Sequence, residues 1–176
     1  YYSLYLLALT IYLLSHIATG KVSEFYNYIN FSIQFLAYAA YVLFARELLD
    51  TRSHLIKWDR YFVIETKVLL ILFPTFILIQ FLLGYEFQIK AFTLVAPLLT
   101  IFTLISYYVV YTRIKDNFSS YFVAGSLIYL LLANISFLEI FIGTEFFTDL
   151  GVQPMFFVYL GAMLQCIIFS IIIGCL

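Results

Sequence analysis

The sequence predicts an all-α, polytopic transmembrane helical bundle, and three observations carry that reading. Hydrophobic residues fill 65% of the 176 positions and charged ones only 11%, whereas soluble domains carry roughly a quarter charged residues. The mean hydropathy is +1.04. The apolar residues also gather into runs of about the ~20 residues that a helix needs to cross a bilayer. A single transmembrane domain over 1–176 is expected.

Six spans follow in order, at about 1–19, 28–48, 66–83, 91–112, 120–142 and 153–176. Gly20 and the polar patch Lys21 to Glu24 close the first. The second runs into Arg46 and Glu47, then into Asp50 to Arg60, the most charged segment of the chain. The third contains Pro74, tolerable in a membrane helix because neighbours re-satisfy the freed carbonyl. A short loop, Gly84 to Lys90, leads to the fourth, which contains Pro97 and ends at Arg113 to Asp116. The last opens on the turn-like Gly151 to Pro154 and is apolar or small thereafter, with Gln165 its one strongly polar side chain. Tyr26, Tyr28, Tyr61, Tyr85 and Tyr111 fall near span ends, where amphipathic rings favour the membrane interface.

Arg46, Arg52, Lys57 and Arg60 flank the second connection and Arg113 and Lys115 the fourth, against Lys21 and Lys90 on the other side. Cytoplasmic loops carry the excess of lysine and arginine, so the even-numbered connections are expected in the cytoplasm. Both ends of the chain then lie on or near the cytoplasmic side. Because the chain begins at Tyr1 inside an apolar run with no basic leader, a preceding segment is expected. An external domain upstream would need one more crossing, making seven.

In the last span Ala162, Cys166, Ser170 and Gly174 recur every four residues. Such a small-residue stripe lets another helix backbone come close, which is how helices associate in lipid; Gly161 and Gln165 lie beside it as packing or relay positions. Cys166 and Cys175 lie ~13 Å apart along this helix, too far to bridge.

The run FARELLDTRSHLIKWDR from Phe44 to Arg60, the segment YFVAG from Tyr121 to Gly125 and the closing GVQPMFFVYLGAMLQCIIFS resemble the bacterial seven-transmembrane receptors with diverse intracellular signalling modules. Phe44, Ala45, Arg46, Leu49 and Asp59 fit that family's second-connection pattern, with Ile56 where a proline is usual. Pro154, Phe157, Gly161 and Ser170 fit its last helix, with Gln165 in place of the usual glutamate. The resemblance covers nearly the whole chain and lacks the first helix. It implies an outer sensor domain before the bundle, often a carbohydrate-binding-like sandwich. After it would come a cytoplasmic output module such as a histidine kinase or a diguanylate cyclase, as in two-component signalling. The membrane would be the bacterial inner membrane.

On the outer side His16, Glu24, Glu139, Glu145 and Asp149 sit at or near span ends. They either line a pocket for a polar or cationic ligand or snorkel and pair locally. Glu139, about a turn inside its span, needs a partner most. On the inner side Glu47, Asp50 and His54 fall at i, i+3 and i+7, a conceivable metal set, although ordinary ion pairs with Arg46 account for them more simply. Trp58, with Arg46, Arg52, Lys57, Arg60, Arg113 and Lys115, marks the cytoplasmic side and a docking surface for a cytoplasmic domain. The sequence offers no catalytic set, phosphate loop or metal site, so no enzyme activity and no cofactor are expected of this region. The expected partners are membrane lipid, the fused sensor and output domains, and a second copy in a homodimer. A net charge of −1 with scattered basic residues argues against nucleic acid. The alternative function is a small-solute membrane transporter, for which Pro74 and Pro97 are the hint.

Overall fold

A computed structural model describes residues 1–15, 21–142, 149, 151 and 155–174; the side chains at 15, 21–24, 26, 27 and 139–142 fall outside the described set. Among the described residues seven helices follow one another: α1 (Tyr2–Ser15), α2 (Lys21–Leu48), α3 (Thr51–His54), α4 (Ile56–Leu83), α5 (Tyr85–Arg113), α6 (Asn117–Ile142) and α7 (Met155–Gly174). Five of them, α2 and α4 to α7, are long and apolar enough to cross a membrane, while α1 is a shorter apolar helix. The protein is an all-α transmembrane helical bundle. Two compact units make it up, Tyr1–Phe92 and Thr93–Leu176.

In the first unit α1 runs antiparallel to α2. Tyr2 meets Phe44 at a ring-centroid distance of 4.9 Å and Tyr5 meets Tyr41 at 5.6 Å. Ala8, Leu9 and Tyr12 continue the buried stripe of α1. The opposite side of α2 packs on α4 and on the first turns of α5, where Phe35, Phe76 and Phe92 form a ring cluster with Phe31 at its edge. Edge-to-face and tilted rings give such packing specificity beyond dispersion alone. Between α2 and α4 the chain does not loop freely. Asp50 adopts the left-handed conformation (φ 42°, ψ 53°) and starts the single turn of α3. Asparagine and aspartate tolerate that region better than other non-glycine residues. Leu49, Thr51 and Leu55 are buried beneath the turn.

The loop expected over Gly84 to Lys90 is a single-residue break. Gly84 closes α4 with φ 82° and ψ 175°, and its N–H reaches the Gln80 carbonyl, after which α5 begins at once at Tyr85. The helix starts six residues earlier than hydropathy suggests because Gln88, which reads as a loop residue, donates its Nε2–H to the Phe76 carbonyl at 2.9 Å and is fully buried. A side chain at position 84 would meet nothing within 4 Å, so only the backbone demands glycine there. Gly84→Ala should therefore cost ~1–3 kcal/mol, measurable by thermal unfolding in detergent. A loss below ~0.3 kcal/mol would show that the backbone relaxes at this corner.

In the second unit α6 and α7 are antiparallel. The rings of Phe122 and Phe169 stack at 5.0 Å with 8° between their planes, and both are fully buried. Two glycines let the helices close on each other. A Cβ built on Gly161 would stand 3.2 Å from the Leu132 Cβ and 3.3 Å from the Tyr129 Cα, and one on Gly125 would stand 2.9 Å from the Ile168 Cγ2. At the head of α6 the Asp116 carboxylate accepts the Ser119 N–H at 2.6 Å, and the Ser119 hydroxyl donates to the Ile114 carbonyl. These bonds satisfy backbone groups that a helix start leaves open.

Candidate functional site

The charged chemistry of the first unit converges where α2 hands over to α4. Arg46 lies in the last turn of α2 and Asp59 in the first turn of α4, and the α3 corner turns the chain so that they face each other. The guanidinium grips the carboxylate with two bonds, Nε to Oδ1 at 2.9 Å and a terminal nitrogen to Oδ2 at 3.0 Å. The Thr51 hydroxyl adds a third to Oδ1 at 2.7 Å. Both charged side chains are largely shielded, at 12% and 15% exposure, and Thr51 is buried. Such fork-to-carboxylate pairs are among the stronger and more directional hydrogen bonds in proteins. Asp59 belongs to the charged connection ahead of the apolar stretch. The Arg46 hydrogen bond and charge, with help from Thr51, hold its carboxyl below the usual value against the opposing effect of burial. The arrangement is a clamp that fixes the second connection as a rigid corner.

About two turns further along α4, Glu65 is buried against α2 and accepts the Tyr38 hydroxyl at 2.5 Å. An ionisable side chain at such a place is costly unless partnered, and the phenol supplies the partner. Neither this pair nor the role of Thr51 is read from the sequence above. The signal was present, because Glu65 is an acid at the very edge of the apolar run that begins at Thr66.

Towards the other end of the same helices, buried polar side chains gather among the rings. Ser32 and Gln88 are fully buried, and Ser32 Oγ, Gln80 Oε1, Gln88 Oε1 and Asn30 Oδ1 have no hydrogen-bond partner among the described residues. Gln80 stands one turn beyond Phe76, whose carbonyl Gln88 holds. Buried polar atoms of this kind usually find partners, and none of these four residues is singled out by the sequence analysis.

The residues singled out there fall as follows. His16 and Glu145 lie outside the described residues, as do Pro154 and Cys175, and the side chains of Glu24 and Glu139 are not described. Asp149 is exposed. Glu47, Asp50 and His54 are exposed as well, the His54 ring facing the Asp50 carbonyl at 3.1 Å. Among the described residues no group of three such side chains is placed to hold a metal. Trp58 is half-buried and packs on Tyr61 and Phe62 along its own helix. Arg52, Lys57, Arg60, Arg113 and Lys115 are exposed, whereas Arg46 is committed to the clamp.

On α7 the face that meets α6 is built from Val158, Gly161, Ala162, Gln165, Phe169 and Ile172, all buried. The four-residue stripe does not coincide with it. Ala162 is on the face and Cys166 half-buried, but Ser170 is exposed and Gly174 has nothing within 4 Å of a built Cβ. Four residues exceed one turn of 3.6, so a strict i, i+4 series drifts by about 40° per step and leaves the interface by its third member. The buried face instead mixes steps of three and four. Gln165, where the resemblance leads one to expect a glutamate, sits fully inside this face.

Comparison with known proteins agrees with this architecture. No curated protein and no solved structure gives a match. A family model described as 7TM diverse intracellular signalling matches residues 1–175. An integral, multi-pass bundle with helices of crossing length, matched from end to end by that model, thus belongs to the 7TM diverse intracellular signalling family.

Proposed function

We propose that this chain is the membrane-embedded relay of a bacterial inner-membrane receptor, passing an extracytoplasmic stimulus to a cytoplasmic output module of kinase or cyclase type. The family membership over residues 1–175 carries this reading. The stimulus arrives through a fused outer domain, with carbohydrate-related ligands as the working class. The chain itself performs no catalysis and needs no cofactor.

The distribution of polar contacts supports a division of labour. The Arg46–Asp59–Thr51 clamp and the Tyr38–Glu65 bond both tie α2 to α4, and breaking either leaves a shielded polar group unpaired. The first unit is the stiff part. The α6/α7 face relies on close-packed small residues and rings, so a shift of ~1–2 Å of the kind packed helices undergo breaks no ion pair there. α7, the last helix of the chain, is the moving part.

A crosslink tests this in the full-length receptor. A Cβ at Gly125 would lie 3.3 Å from the Ile168 Cβ, close to the ~3.5–4.5 Å of a disulfide. With Cys166 and Cys175 first replaced by alanine, oxidised Gly125→Cys/Ile168→Cys should lose its stimulus response, and reductant should restore it. A fully crosslinked receptor that responds normally would overturn the relay. The orientation has its own check. Reporter fusions at Lys57 and Lys115 should report the cytoplasm and fusions at Glu86 and Asp149 the outside, an inverted pattern refuting the assignment.

A further inference from the structure

The charges on the first turns of α4 are sorted by face. Asp59 is engaged by Arg46 and Thr51, and Glu65 by Tyr38, so both acids point at α2. Lys57, Arg60 and Lys67 are all exposed, and no carboxylate pairs with them among the described residues. At ~100° per residue Arg60 and Lys67 are only ~20° apart around the helix, with Lys57 ~60° from Arg60. The three cations thus occupy one narrow face, opposite the buried line of Phe62, Thr66 and Leu69. On the same face stand Ile64, between Arg60 and Lys67, and beyond them Ile71 and Leu78, exposed to 56, 65 and 58%.

Lys67 is the informative member. It lies within a helix long and apolar enough to span the membrane, about 10 Å along the axis from Arg60. Helical side chains lean towards the N-terminus, and a lysine in this position extends its ammonium towards the headgroups. Lys67 therefore reaches back towards Arg60, and the two cations bracket a height at which a phosphate resides. A plain topology signal requires basic residues only near the span. It does not require them on one face, cleared of acids and continued by an apolar strip.

We propose that this face of α4 binds an anionic phospholipid, its phosphate held by Arg60 and Lys67 with Lys57 at the rim and its acyl chains lying along Ile64, Ile71 and Leu78. The charge complementarity and the continuous apolar strip select a lipid over a soluble anion. This inference does not depend on the relay reading.

The full-length receptor, delipidated in a neutral detergent, tests it by titration with phosphatidylglycerol or with phosphatidylcholine of the same acyl chains. Lipid retention is read by native mass spectrometry and stability by thermal unfolding. Phosphatidylglycerol should be retained preferentially and raise the melting temperature, and inorganic phosphate should do neither. Arg60→Gln/Lys67→Gln should bind phosphatidylglycerol roughly thirty-fold more weakly, at about 1 kcal/mol per cation, while melting unchanged in phosphatidylcholine. Arg113→Gln/Lys115→Gln, which removes as much charge elsewhere, should keep the preference. Equal retention of the two lipids by the native chain would overturn the site, as would undiminished preference in the Arg60/Lys67 variant. So would a lipid-independent dimer that shields Lys67 from amine labelling, since a second copy would then cover the face.

Discussion

Asp59→Ala should lower the stability of the bundle by about 3 kcal/mol, among the largest losses that any single side-chain truncation in the first unit causes. The reason is what remains behind. Removing the carboxylate leaves the Arg46 guanidinium at 12% exposure with two N–H donors stripped of their acceptor, and leaves the buried Thr51 hydroxyl unpaired. Breaking one side of a shielded ion pair costs ~3–5 kcal/mol, whereas replacing both sides by well-packed apolar groups is often nearly neutral. Arg46→Met/Asp59→Leu should therefore cost clearly less than the sum of its single variants, with a coupling of ~1–3 kcal/mol. Thermal or denaturant unfolding in detergent of the four proteins in the cycle measures this, and additivity within ~0.5 kcal/mol would show that the clamp contributes nothing specific. The pH dependence has a fixed sign. The folded-state pKa of Asp59 is lowered, so its contribution is fully present above the ordinary carboxylate range and is lost as the pH falls through that lower value. The clamp should hold across the neutral range, and Asp59→Asn, which cannot ionise, should flatten the acid limb of the stability profile.

The helical membrane class was legible because the bilayer imposes one length and one composition on a spanning helix, and the family was legible in the Phe44–Arg60 run. The clamp gives that run a physical meaning. Arg46 and Asp59 stand thirteen residues apart because a helix end, a one-turn corner and a helix start are needed to bring their side chains together. Hydropathy could not show this, since it scores Arg46 and Asp59 as polar loop residues whether they are paired or free. It also could not place the start of α5, because Gln88 looks like a loop residue until its amide is seen bonded to the Phe76 carbonyl. The α7 stripe and the face buried against α6 differ for a geometric reason. Small residues at steps of four are conspicuous in a sequence, but a packing face on a 3.6-residue helix needs steps of three and four together. Val158, Gly161, Gln165, Phe169 and Ile172, at steps of three, four, four and three, supply that mixture and are buried, while Ser170 is not.

That difference sets up the second large effect. Gly161→Leu should cost ~2–3 kcal/mol and abolish the stimulus response, while Ser170→Leu on the same helix should change stability by less than ~0.5 kcal/mol and leave the response intact. Already the Cβ at position 161 would stand 3.2 Å from the Leu132 Cβ and 3.3 Å from the Tyr129 Cα. The second of these is backbone and cannot rotate away, so α6 and α7 must separate. Separation at that level loosens the stacked Phe122 and Phe169 rings, and forcing added volume into a packed interface costs ~1–3 kcal/mol. Gly161→Ala should give an intermediate loss, and Ala162→Leu, also on the buried face, a loss comparable to Gly161→Leu. Ser170 projects away from α6, and substitutions at exposed sites seldom exceed ~0.5 kcal/mol. Expression-matched variants compared by thermal unfolding and by a reporter of output separate packing from relay. If Ser170→Leu proved as damaging as Gly161→Leu, the exposed side of α7 would carry the coupling. If Gly161→Leu folded normally and still responded, α7 would transmit the signal without its close approach to α6.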